Sequence, residues 1–165
     1  MPGSSRQPAR PTALALLLGG ILLGIWLGWA PTAQPGPLEA LDGETRAMAV
    51  GDERFVVELA TTPASRQRGL MGRPQLAADR GMLFLYDEPA PRTFWMKNVR
   101  FGLDILYLDA DWRILHLVTA PPCVMPPCPE YPSSQPARYV LELPAGSGER
   151  LGLAPGQRLE PPDRI

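Results

Sequence analysis

The sequence predicts a small, mainly β domain, an antiparallel barrel or sandwich-like fold with one or two short helices. Three observations predict it. Short apolar runs of strand length recur along the chain, most of them separated by Gly, Pro, Asp or Asn. Only one segment, after Thr62-Pro63, carries a strong helix start. Residues 120–136, with seven prolines, can be neither a helix nor a central strand.

The chain begins with a different kind of segment. Residues 1–12 contain Arg6 and Arg10 and no acid, and residues 13–30 run without a charged side chain. Eighteen helical residues would span roughly 27 Å, close to the ~30 Å hydrocarbon core of a bilayer. Two readings of residues 1–30 stand side by side: a cleaved signal peptide and a retained N-terminal transmembrane anchor. The run is longer than a usual secretory core, and Pro31 sits where a small-x-small cleavage would fall. Trp26 and Trp29 near its far end suit an interfacial belt. Arginines before the run, against Glu39 and Asp42 after it, place the start in the cytoplasm and the remainder outside. The expected location is the periplasmic or extracellular face, anchored in the inner membrane. Residues 31–44 are proline-rich and aperiodic, which reads as a flexible tether. Residues 45–165 then form a single exported domain. With Arg6 and Arg10 set aside, acids outnumber bases, which argues against nucleic acid or anionic lipid as the domain's partner.

Within the domain, 45–50 and 54–60 alternate as two strands around Gly51-Asp52. Thr62 caps a short helix expected to stop near Gly72. Its arginines are solvated charges in the simplest reading; in the sharper one Arg66 or Arg73 reaches an anion. Strands follow at 81–86 and 92–97 across a proline-rich turn, and at 103–108 and 114–118 across a hairpin-length turn, Asp109 to Trp112. Residues 120–136 hold seven prolines and must form a long loop, ordered or clipped. A strand at 139–143, helical turns within 146–153 and a last short strand at 157–160 complete the chain.

On the segments VELATTPASRQRGLMGR (57–73), GMLFLY (81–86), FWMKN (94–98), LDILYLDADWRI (103–114) and the Cys123 to Gly146 run, the chain resembles a bacterial and archaeal family of exported proteins, domain of unknown function 192. The resemblance covers about Phe55 to Leu159 and departs mildly at Val99-Arg100-Phe101. It implies a small, mostly β, barrel-like domain and brings no activity with it.

Residues that bear chemistry are few. Lys97, the only lysine, follows Trp95 and Met96 and precedes Asn98; Asp104 comes seven residues later. In an extended FWMKN, Trp95 and Lys97 share one face. With carboxylates on neighbouring strands (Glu58, Asp104, Glu142) they would form a polar pocket for a sugar or small anion, using the indole face and the ammonium. A Lys–carboxylate ion pair holding the strand register is the plainer alternative. Candidate ligand-binding residues are therefore Trp95, Lys97, Asn98, Asp104, Glu142 and Arg73. Cys123 and Cys128 in an exported chain pair most simply as a disulfide, a bond worth about 2–3 kcal/mol for so short a loop. Met125 and the remaining soft donors leave a copper or thiol-exchange reading open. A closed metal site needs more ligands than two cysteines and the single His116 supply, and no cofactor is called for. His116 is expected to be an outward polar strand residue. The function expected is binding of a small polar ligand or an envelope protein; the alternative is an envelope enzyme acting on glycan or another polar substrate. If the N-terminal span is retained, mass spectrometry of the membrane-bound protein will return the full 18.0 kDa chain; cleavage will return a product lacking about residues 1–30.

Overall fold

The structure is a computed structural model that describes residues 38–165. The expected signal or anchor and most of the tether lie outside the described residues. Among the described residues no helix is long and apolar enough to cross a membrane. Six strands form one sheet: β1 (Thr45–Val50), β2 (Glu53–Ala60), β3 (Arg80–Ala90), β5 (Leu103–Leu108), β6 (Ile114–Ala120) and β8 (Ala137–Pro144). Their order across the sheet is β1-β2-β3-β8-β5-β6. All neighbours are antiparallel except β2 and β3, which are parallel. A parallel pair needs a crossover. Helix α1 (Pro63–Arg68) and residues 69–79 supply it. A two-stranded ribbon, β4 (Thr93–Trp95) with β7 (Glu130–Pro132), and the four-residue helix α2 (Ser147–Arg150) complete the domain.

The mainly β reading holds, with two short helices, and the sheet is not closed by a ladder between its edges. Instead the C-terminal segment spans them. Gly156 and Ile114 bond through N–H to O at 2.7 Å, and Leu159 N–H donates to Trp112 O at 2.9 Å, on the β6 side. Asp163 N–H then donates to Ala47 O of β1 at 3.2 Å. The last strand expected at 157–160 is thus a covering segment with one bridge, Arg113 to Arg158. It occupies edge groups that would otherwise be open to pairing with another chain.

Alternation along the strands assigns each side chain to a face. On the inner face Phe55, Val57, Leu59, Leu83, Leu85, Leu106, Leu141 and Leu143 gather with Met48, Trp112, Ile114 and Leu159. Trp112 stacks on Tyr139 at 4.0 Å between centroids. On the outer face Met82, Phe84, Leu103, Ile105, Tyr107 and Val140 pack under Leu70, Met96 and Val99. All six residues of β5 are buried in consequence, so the strand shows no alternation of exposure.

Further boundaries differ from the sequence reading: β4 is shorter than the strand expected at 92–97, β7 lies inside the loop expected at 120–136, and three more bear on the start of the domain and β3. The tether ends earlier than Glu44. From Leu38 onward the chain is part of the fold: a 3-10 turn at Glu39–Leu41 leads into Asp42. Its carboxylate accepts from Thr61 N–H at 2.8 Å, Thr62 N–H at 3.2 Å and the hydroxyls of Thr61, Thr62 and Ser65. Helix α1 stops at Gly69, which takes a positive φ of 47°, rather than at Gly72. A side chain at Gly69 would also touch the Phe84 ring. β3 continues through Asp87 and Pro89 to Ala90, where a turn was expected, and pairs Ala90 with Ala137 after an irregularity. Proline is tolerated there because β3 has lost its regular ladder.

Asp42 ties the start of the domain to the α1 N-terminus, and this has a pH signature. Burial opposes its ionisation, but the bonds from Ser65, Thr61 and Thr62 outweigh that and hold its pKa at about 2, below the ordinary 3.8. A carboxylate with a depressed native pKa stabilises fully above its unfolded value, and the gain is lost as pH falls through the native one. Asp42→Ala should therefore cost about 1–3 kcal/mol in urea unfolding at neutral pH, since it strands the Thr61 and Thr62 donors. The deficit relative to wild type should shrink as pH falls from about 4 towards 2, the interval set by the two pKa values.

Candidate functional site

The β4–β7 ribbon lies over the outer face of the sheet because its inward side chains are aromatic. Phe94 meets Phe84 edge-on at 4.8 Å and Tyr107 at 6.0 Å between centroids, and Met96 is fully buried. Tyr107 donates its hydroxyl to Tyr131 O of the opposing strand. Ser133 and Arg92 close the ribbon with bonds of 2.7 and 3.0 Å. The alternation that buries Phe94 and Met96 turns Trp95 and Lys97 outward. Trp95 is 43% exposed, and the Lys97 ammonium lies 5.0 Å from its ring centroid. After β4 the chain turns at Asn98, whose φ of 58° is a conformation that asparagine tolerates better than most residues. Asn98 O accepts from Gly72 N–H at 3.0 Å, so the turn is tied to the crossover loop.

The proline loop docks beside this turn. Cys123 bridges to both Lys97 and Val99, with its N–H donating to Val99 O at 3.1 Å. Cys123 and Cys128 form the expected disulfide. The bond takes up both sulfurs, so no thiolate remains for soft-metal binding in this state. Between the cysteines Val124 and Met125 are 60% and 78% exposed. Together with Trp95 and the C-terminal Ile165 they are the large apolar side chains that stand out into solvent among the described residues. A cleft of about 390 Å³ opens between Val124, Asn98, Arg100, Met71 and Gly72.

The six candidate residues do not converge on one pocket. Trp95, Lys97 and Asn98 come together on the outward ribbon surface. Asp104 is on the opposite face of the sheet and fully buried, as the alternation with Leu103 and Ile105 requires. It accepts from Thr119 Oγ1 at 2.6 Å and from Gly148 N–H at 2.7 Å, and so anchors α2 to β5 and β6. Pairing of Lys97 with Asp104 is thereby excluded in this fold. Among the described residues Lys97 is exposed and has no carboxylate within ion-pair distance. Arg73 pairs with Glu58 instead, through bonds of 2.9 and 2.8 Å.

Glu142 occupies a third setting. In register it lies between Met82 and Ile105 on the outer face, under the crossover loop and the ribbon. It is 4% exposed, and its buried Oε2 meets no hydrogen-bond partner. Burial pushes its carboxyl from 4.5 up to about 8, against the pull of Arg73. It is therefore mostly protonated at pH 7, with Met82 and Ile105 opposite it on the adjacent strands. His116 is not the outward residue expected: half-buried, it stacks on Tyr107 at 5.8 Å, with Nδ1 buried and unpartnered.

With the ribbon, the clipped loop and the sheet in place, the comparison with known proteins is direct. Residues 46–161 match the family model DUF192, described as "Uncharacterized ACR, COG1430". The chain belongs to that family. The DUF192 match runs from β1 to the C-terminal covering segment and includes every residue of the ribbon and loop. Two solved structures share the fold. One, from Sinorhizobium meliloti 1021 and described as a "putative transcription regulator", is 38% identical over 70% of this chain and 92% of its own, with a TM-score of 0.63. The other, a protein of unknown function from Novosphingobium aromaticivorans DSM 12444, is 33% identical over 77% of this chain and 91% of its own, with a TM-score of 0.61. No curated protein matches the chain.

Sequence reasoning missed Val124 and Met125 as surface residues, although two apolar residues between cysteines in a proline loop were a readable signal. It missed the isolation of Glu142, which depends on what covers the sheet. That isolation is measurable. Between pH 4.5 and about 8 the unfolded chain releases the Glu142 proton and the native one keeps it, so stability falls as pH rises through that interval. Glu142→Gln should abolish this slope. It should be more stable than wild type at pH 8, with the difference vanishing near pH 4.5, in urea titrations across pH.

Proposed function

We propose that this DUF192 domain is an exported binding module that docks an envelope protein partner on the outward surface of the ribbon and the disulfide loop, and catalyses nothing itself. Residues 13–30 are its link to the membrane, as signal or anchor, and the disulfide suits an oxidising compartment outside the cytosol. One observation carries the reading. Trp95, Val124 and Met125 are left exposed on elements held rigidly by the cross-linked loop, rather than folded into either core. Large apolar side chains left exposed beside polar groups are a usual mark of a protein interface, and Trp and Met are favoured there. Lys97 and Arg100 beside it favour a partner segment that is apolar with acidic flanks.

The enzyme alternative has less support. Glu142, whose pKa is raised to about 8, is only 4% exposed and lies on the opposite face of the sheet from Asp104. The regulator wording attached to the Sinorhizobium relative is not extended to this chain either. Helices α1 and α2, of six and four residues, offer no groove-reading helix among the described residues, and the exported part is net acidic.

Photocrosslinking in the producing cell checks the docking surface. A photoreactive residue at Val124 should give a discrete protein adduct, reduced several-fold by Trp95→Ser or Lys97→Glu, while the same probe at exposed Arg54 gives none. Adducts of equal yield at both positions, or none at Val124, would sink the proposal.

A further inference from the structure

A second surface is built around unpaired guanidiniums. Tyr86 of β3 carries two of them against its ring: Arg92 Cζ lies 3.6 Å and Arg66 Cζ 4.6 Å from its centroid. Arg66 Nη1 donates to Thr61 O and, at 2.9 Å, to Leu85 O. Arg92 donates to Glu88 O at 2.7 Å and Ala137 O at 3.3 Å. These carbonyls hold the planar groups in place without neutralising them. Arg138 of β8 has a buried Nε that meets no acceptor, while its guanidinium lies 5.4 Å from the Tyr139 ring. The ion pairs among the described residues use Arg46, Arg54, Arg73 and Arg150, and none of these three arginines.

Two of the three arginines open onto one cleft. About 470 Å³ in volume, it is lined by Arg66 and Arg138 together with Thr61, Pro63, Asp87 and Glu39. Its size is that of a small-molecule site. Guanidiniums with free donors select planar oxyanions, because the fork of N–H groups matches a carboxylate in two-point contact. The cleft is not simply basic, however. Asp87 is exposed and enters none of those ion pairs. Two cations with the carboxylate of Asp87 on the same wall disfavour a polyanion and suit a ligand that carries both signs.

We infer that the cleft between α1, β3 and β8 binds a small zwitterion, an amino acid or peptide end, with its carboxylate on Arg66 and Arg138 and its ammonium on Asp87. Thr61, whose backbone carbonyl already fixes Arg66, lines the cleft beside the carboxylate end. Pro63 gives the backbone of the ligand an apolar wall. This site does not depend on the docking surface proposed above and stands or falls separately from it.

The test is a titration of the full-length, ¹⁵N-labelled chain in detergent micelles with glycylglycine, N-acetylglycine, glycinamide and inorganic phosphate. Glycylglycine should move the amides of Thr61, Asp87 and Arg138 saturably. N-acetylglycine, which lacks the ammonium, and glycinamide, which lacks the carboxylate, should each bind at least about tenfold more weakly, the loss expected for one charge-assisted contact. Arg138→Gln and Asp87→Asn should each weaken glycylglycine by a similar factor while the spectrum elsewhere stays native. Arg138→Lys replaces the first variant if that one does not fold. Absence of saturable shifts at these amides overturns the inference. So does an affinity that either variant leaves unchanged, or phosphate binding more tightly than glycylglycine.

Discussion

One sheet with two apolar faces is the constraint from which the rest of this domain follows. β3, β8 and β5 carry large hydrophobic side chains alternately inward and outward, and both sets are buried. Curling the sheet can enclose only one of the two. The inner set is enclosed in this way, with the C-terminal segment laid across the gap between β6 and β1. The outer set needs a separate cover, and the chain supplies it from two places: the crossover loop that brings in Leu70, and the ribbon that brings in Phe94 and Met96. Fully burying a side chain such as Met96 is worth roughly 1.5–3 kcal/mol, and the partly buried Phe94 adds to it in holding a ribbon of only three residue pairs.

A ribbon that buries every second residue must present the others. This is why the outward pair, Trp95 and Lys97, is surface in spite of its aromatic character, and why the clipped loop beside it displays Val124 and Met125. The same double covering strands Glu142. Its position in β8 faces the outer layer, where its buried Oε2 has no hydrogen-bond partner, and burial raises its pKa to about 8. Asp104, one strand over but on the other face, sits near the end of the strand where a hydroxyl and an N–H can reach it. Two carboxylates close in the sheet thus have opposite environments, decided by the parity of their positions.

Much of this was legible in the residues. The strands at 45–50 and 103–108 fall where alternation and turn residues place them, and Thr62-Pro63 caps α1 with the Thr62–Ser65 reciprocal bonds its hydroxyls allow. The outward pairing of Trp95 with Lys97 follows from period-two geometry alone. The partnership expected between Lys97 and Asp104 did not survive, because seven residues and a turn carry the two onto different layers. No periodicity within either segment contains that information. Asp42 was hidden for a similar reason: its acceptors' partners lie about twenty residues ahead, across β1 and β2.

By itself, then, the sequence determined local matters: which segments extend, where the one good helix starts, which cysteines are near enough to join, and which residues of a strand share a side. Those depend on neighbours a few bonds away. Only the tertiary structure decided which of the two sides of each strand became interior, what covered the outer layer, and which charges met. Glu58 went to Arg73, Asp104 to Gly148, Lys97 to an indole face, and Glu142 to nothing. Each of those outcomes is set by strand order and by what lies over the sheet, where the energy comes from contacts between residues far apart in the chain.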